Sequence, residues 1–252
     1  MMFQRYIGVD YSGAGAPTKP QNGIRVLQAL PGAQLELILD AGGQNWSRVT
    51  LAAWLAERLE EPQPTLVGID HCFSFPSSFL EEHRLKTWDA VLDFADARWN
   101  TRLQTVASVV NWQDFAAFTG RAGLRVTEQF TPSAKSVFNP HGAGVAHSSF
   151  AGLPWLRDLR RTLGGKVHFW PFDGWEVPAG GSCIAEVYPS IFSRRYDNAG
   201  HPGGPHSHDA YAVCRWMMKA DERGVLSHYF QPLLTSAEKE CAETEGWILG
   251  VM

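Results

Sequence analysis

Asp10, Asp70 and Asp209 are the residues around which chemistry could be built. The first two close matching runs, Ile7-Gly8-Val9-Asp10 and Val67-Gly68-Ile69-Asp70, each a short apolar stretch with glycine in its middle. Such runs read as buried strands, so each aspartate falls at a carboxyl end, the edge of an open α/β sheet where ligands bind. The third lies in His206-Ser207-His208-Asp209-Ala210-Tyr211-Ala212-Val213. There the helix-breaking His201-Pro202-Gly203-Gly204-Pro205 gives way to Ala210, Val213, Cys214 and Met217 at the spacing of one buried helical face. Asp209 therefore falls in or beside a first helical turn, where the helix dipole favours the ionised carboxylate that a metal ion needs. Alone, Asp209 reads as a helix cap, and Asp10 or Asp70 as a turn former at a strand end. Taken together, three acids from separate elements are expected to converge on one mouth.

The elements that must position them follow from periodicity. Tyr6 to Tyr11, Gly23 to Leu30 and Gln34 to Asp40 read as an antiparallel meander, with Ser12-Gly13-Ala14-Gly15-Ala16-Pro17 and Pro31-Gly32 as its breaks. Ser47 caps a helix to about Leu59, with Leu51, Trp54, Leu55 and Leu59 inward. Thr65 to Asp70 is a fourth strand. Trp88 to Trp99 is a helix with Ala90, Val91, Phe94 and Ala97 on one side. Cys183 to Tyr188 is a fifth strand with Glu186 inside it, and Gly246 to Val251 is a short terminal strand or docking tail. Residues from about 100 to 180, rich in Gly, Pro, Phe and Trp, read as an irregular or helical insertion in a single domain spanning 1–252.

Composition narrows the classes. The 252 residues, 44% hydrophobic and 19% charged, suit a globular chain with a full core. No run approaches the roughly 20 apolar residues of a membrane span, and the N-terminus lacks a signal-peptide pattern. Cys72, Cys183, Cys214 and Cys241 are scattered without zinc-finger spacing, which suits free thiols and a cytoplasmic setting. The net charge of -4 argues against a surface that binds nucleic acid everywhere. From Arg98 to Gly180, however, nine basic residues face five acidic ones, so that segment carries +4 and the remainder -8. A basic segment beside an acidic, metal-seeking site suits an anionic substrate.

Three strands, helix, strand, helical insertion, strand and helix is the connectivity of the ribonuclease H-like fold, a mixed five-stranded sheet flanked by helices. A closer resemblance rests on Ile7-Gly8-Val9-Asp10, Gly68-Ile69-Asp70 with Phe75-Pro76, Arg125-x-x-Glu128, Trp170-Pro171-Phe172-Asp173, Glu186-Val187-Tyr188-Pro189, His208-Asp209-Ala210 and Glu245-Gly246-Trp247-Ile248. Together these resemble the domain-of-unknown-function 429 family over nearly the whole chain. The resemblance implies a ribonuclease H-like nuclease whose reaction and substrate are poorly defined. His206-x-His208-Asp209-Ala210-Tyr211 also resembles the last motif of RuvC-like nuclease domains, which implies that His206 assists the attacking water and Asp209 binds metal.

The expected chemistry is two-metal hydrolysis of DNA or RNA, with Asp10 bridging and Asp70 and Asp209 each holding one side. Glu186 is a fourth candidate ligand, or a strand residue paired to an arginine. Mg2+ or Mn2+ suits such oxygen ligands better than zinc. His208 is a weaker alternative to His206 as the group that activates water. Arg125, Glu128, Lys135 and Ser12 are candidates to face the substrate, although Arg125 and Lys135 could instead pair with Glu128 and its neighbours. Other signatures are missing: there is no G-x-S-x-G elbow, Walker-type loop or HExxH. An alternative is a sugar-kinase or actin-like phosphotransferase, because Asp10-Tyr11-Ser12-Gly13 resembles the first phosphate loop of that superfamily. Another is a non-catalytic ligand-binding protein with the same fold.

Overall fold

Six strands form one mixed sheet among the described residues of the computed structural model, which covers the chain except for 132, 140–144, 197–201 and 205–206. They are β1 (Arg5–Asp10), β2 (Arg25–Ala29), β3 (Glu36–Ile38), β4 (Thr65–Asp70), β5 (Val167–Trp170) and β6 (Ser182–Glu186), in the order β3-β2-β1-β4-β6-β5. β2 is antiparallel to β1 and β3, whereas β1–β4, β4–β6 and β6–β5 are parallel pairs. The expected meander followed by parallel strands is therefore present. The helices are α1 (Arg48–Glu60), α2 (Ser77–Glu82), α3 (Trp88–Trp99), the short α4 (Val106–Val109) and α5 (Val126–Gln129), α6 (Val145–Leu163), α7 (His208–Glu222), α8 (Leu226–Tyr229) and α9 (Ser236–Glu245). No described helix is long and apolar enough to cross a membrane.

The sheet has one strand more than the sequence predicts. β5 lies inside the segment read as irregular, and all four of its residues are buried. With both faces covered, Val167-His168-Phe169-Trp170 shows no alternation, and it is too short to stand out beside Gly164-Gly165 and Pro171. The same segment holds α6, whose periodicity is interrupted by Gly152 and Pro154. On α3 the buried face is Trp88, Val91, Leu92, Ala95 and Trp99, so the predicted inward Ala97 is instead exposed. The C-terminal residues dock rather than extend the sheet: Ile248 makes one parallel bridge to Glu186, and the Leu249 N–H donates to the Glu186 carbonyl at 2.9 Å.

Strand parity decides which residues meet α7. Ile7, Val9, Val67 and Ile69 face a core completed by α1, α3 and α6, while Tyr6 and Leu66 face the core completed by α7. Gly8 and Gly68 share the α7 side, and so by alternation do Asp10 and Asp70. The glycines let the helix lie flush. A Cβ on Gly8 would stand 2.4 Å from the Ala210 carbonyl oxygen and 2.8 Å from the Cys214 nitrogen. One on Gly68 would press on Val187, Val213 and Met217. At the far end of α7, Asp221 accepts from the backbone of Met2 (2.8 Å) and Phe3 (2.9 Å) and from the Tyr6 hydroxyl (2.6 Å), fixing the helix lengthwise along β1. Gly8→Ala is therefore expected to lower stability by about 1–3 kcal/mol through overpacking against helix backbone. A denaturant midpoint equal to that of the parent chain would show that this close approach is not needed.

Candidate functional site

Register brings the first two acids side by side. β1 and β4 pair in parallel with Asp10 opposite Asp70, both at the last position of their strands. α7 crosses the same end and supplies Asp209 from its first turn. All three line one cavity of about 500 Å³. All three are harder to ionise than a free aspartate. Burial, then the charge of Asp209, pushes Asp10 up to about 7, with Arg25 opposing. Burial and then the charges of Asp10, Asp209 and Glu186 raise Asp70 well above the carboxylate range. Asp209 is also raised by burial, with His208 opposing. Among the described residues, none of the three carboxylates takes part in a hydrogen bond or ion pair, and Asp209 does not cap its helix.

Glu186 stands differently. Its carboxylate accepts from Arg125 Nη1 at 2.8 Å, Arg125 Nη2 at 2.5 Å and the Phe73 N–H at 2.9 Å. The fully buried Arg125 also donates from Nε to Glu128 at 3.0 Å and from Nη1 to the Glu245 carbonyl at 3.1 Å. Of the roles open to Arg125, Glu128 and Glu186 from sequence, the geometry is that of a buried ion-pair triad, not of groups turned toward a substrate or a cation. The triad also anchors the chain end: the Glu245 carboxylate accepts from the Val126 N–H at 2.6 Å and the Ser77 hydroxyl at 2.6 Å. Arg125, Glu128 and Glu186 also border the cavity.

The other expected residues divide. Ser12 and Lys135 line the cavity, Lys135 being exposed and without an ion pair or hydrogen bond among the described residues. The Ser12 loop is held by the buried Arg48, whose guanidinium donates to the carbonyls of Ser12 (3.1 Å), Ala14 (2.8 Å) and Gly15 (2.8 Å). His208 turns its Nε2–H to the Ser193 carbonyl at 3.2 Å. His206 lies outside the described residues. Sequence reasoning missed Tyr11, His71, His147 and Tyr188, which also border the cavity. His71 is buried under Gly152, where a Cβ would come within 2.4 Å of its Nε2. Burial depresses its basicity to about 4, so it is neutral at pH 7 and offers Asp70 no countercharge. The signal that could have found it is only its position after Asp70.

No three His, Cys, Asp or Glu side chains among the described residues form a ready-made metal cage. Mg2+ does not require one, because it commonly keeps several waters and takes only one or two carboxylates. Three hard oxygen donors, unneutralised and facing shared space, fit that chemistry. All four cysteines are free, with Cys72, Cys183 and Cys214 buried, and raised thiol values at each leave no thiolate nucleophile at the site. Compared with protein-family models, curated proteins and solved structures, the chain matches none.

Proposed function

We propose that this chain is a divalent-metal-dependent hydrolase of phosphodiester bonds in nucleic acid, on a ribonuclease H-like framework resembling the domain-of-unknown-function 429 family. One observation carries the reading: aspartates from β1, β4 and α7 face a common cavity, and none of their carboxylates has a hydrogen bond or ion pair among the described residues. Burying like charges together is unfavourable unless a cation accompanies them or some are protonated. The strand order, with a meander on one side of β1 and parallel strands on the other, supports the framework.

Asp10, Asp70 and Asp209 would hold Mg2+ or Mn2+, which when bound supplies Lewis acidity toward the phosphate and a more acidic water. The remaining parts belong to the chain. Arg125 holds the Glu186 carboxylate at the end of β6, beside β4. Lys135 supplies a positive charge to a phosphate oxygen from the insertion side of the cavity. In the reaction, the water oxygen forms a bond to phosphorus as the bond to one sugar oxygen breaks, and that oxygen leaves with a proton.

The phosphotransferase alternative rested on Asp10-Tyr11-Ser12-Gly13, and within that stretch Gly13 has a packing role. A Cβ there would lie 2.0 Å from the His147 carbonyl oxygen, so the loop is pressed against α6. The hydrolase reading predicts Mn2+- or Mg2+-dependent cleavage within a panel of single strands, duplexes, hybrids and junctions, abolished by Asp10→Asn. A panel left intact by correctly folded, metal-loaded protein would overturn it.

A further inference from the structure

Resting on the hydrolase reading, we infer that the substrate is a single-stranded polynucleotide that presents one unstacked nucleotide to the cavity, and not an intact duplex. The argument begins with space. The aspartates lie in a partly open cavity that Ala134, Lys135, Val145 and His147 of the insertion also line. Its volume of about 500 Å³ is in the range of pockets that take a single small molecule. A duplex, whose major groove alone is about 12 Å wide, does not fit within it. A single nucleotide does, and an unpaired strand can place one there without the unpairing and unstacking cost that a duplex would meet.

The walls agree with this occupant. Tyr188 borders the cavity and is fixed by donating its hydroxyl to the Ser133 carbonyl at 3.0 Å, which presents a held aromatic ring beside the acids. Aromatic rings stack on any base, giving affinity without sequence preference. Charge supports the same conclusion. Of the two cationic side chains that border the cavity among the described residues, Arg125 is enclosed by Glu186 and Glu128, which leaves Lys135 for a phosphate. A protein that tracks a duplex backbone neutralises many phosphates and shows a steep salt dependence. One lysine reads one phosphate, so recognition must come from the pocket.

The test offers one labelled oligonucleotide with Mn2+ as a single strand, as a blunt duplex and as a duplex with a single-stranded overhang. Unpairing a base costs a few kcal/mol, so the single strand and the overhang should be cleaved at least about tenfold faster than the blunt duplex. Equal or faster cleavage of the blunt duplex overturns the inference and leaves the hydrolase reading intact. A second arm does not depend on turnover: calorimetry of a nucleoside 3′,5′-bisphosphate with the Mn2+-loaded protein. Saturable binding, weakened about tenfold by Lys135→Ala and by Tyr188→Ala in variants that keep the parent thermal midpoint, supports the pocket. Absence of binding overturns it. If the bisphosphate binds while no oligonucleotide is cut, the hydrolase reading fails and the nucleotide pocket stands.

Discussion

Asp10→Asn will make the metal-free protein more stable at pH 8 while removing its response to Mn2+. Burial beside Asp209 raises Asp10 to about 7 in the folded chain, against 3.8 in the unfolded one. The sign follows from linkage: the folded state holds the proton more tightly, so this group's stabilisation is fully present below pH 3.8 and is lost as pH rises through about 7. A separation of about three pH units corresponds to at most about 4 kcal/mol, and asparagine does not incur that loss. The two proteins should therefore unfold alike near pH 4 and diverge steadily to pH 8, with the variant ahead by on the order of 2–4 kcal/mol. Saturating Mn2+ should reverse the order. An ion that binds only the folded state adds about 4.1 kcal/mol at a thousandfold excess over its Kd, and only the parent chain keeps the full carboxylate set. Denaturant melts across pH, with and without Mn2+, provide the measurement. Curves that stay parallel at all pH values would mean that Asp10 is ionised without hindrance, and the clustered-acid account would fail with them.

How far the sequence disclosed this site depends on the range of the interaction. Asp10 and Asp70 could be placed because strand period and a terminal acid are local facts. What Gly8 and Gly68 pack against could not: it is α7, some 200 residues beyond Gly8, which carries the third aspartate. The same limit hid the pairing of Arg125 with Glu186, 61 residues apart, so both were reasonable candidates to face solvent chemistry. Arg48 was overlooked for a related reason. An arginine opening an amphipathic helix reads as a surface residue, yet it is 1% exposed and bonded to three carbonyls of the Ser12 loop. Asp209 shows a limit of local electrostatics. Its place in a first turn predicts an ordinary or strengthened acidity, whereas burial at the sheet edge weakens it.

Arg125→Ala is expected to be the most damaging single substitution near the site, through folding and not through chemistry. It would leave Glu186 and Glu128, both within 3% exposure, facing one another without a cation. Removing one member of a buried ion pair typically costs about 3–5 kcal/mol, because the remaining charge stays desolvated. For a chain of this size that corresponds to a fall of roughly 10 °C in thermal midpoint. Arg125→Lys should recover only part of the loss, since an ammonium cannot bond Glu186, Glu128 and the Glu245 carbonyl in the fork that the guanidinium makes. The deficit should shrink as pH falls, because the stranded Glu128, its acidity weakened by burial, takes up a proton in the folded variant before the unfolded chain does. Combining Arg125→Met with Glu186→Gln and Glu128→Gln should restore more stability than Arg125→Lys, as an uncharged cluster no longer needs the cation. The combined variant should still bind Mn2+, because Asp10, Asp70 and Asp209 are untouched. If it folds well but has lost the ion, Glu186 belongs among the ligands and the division between the three aspartates and the buried triad is wrong.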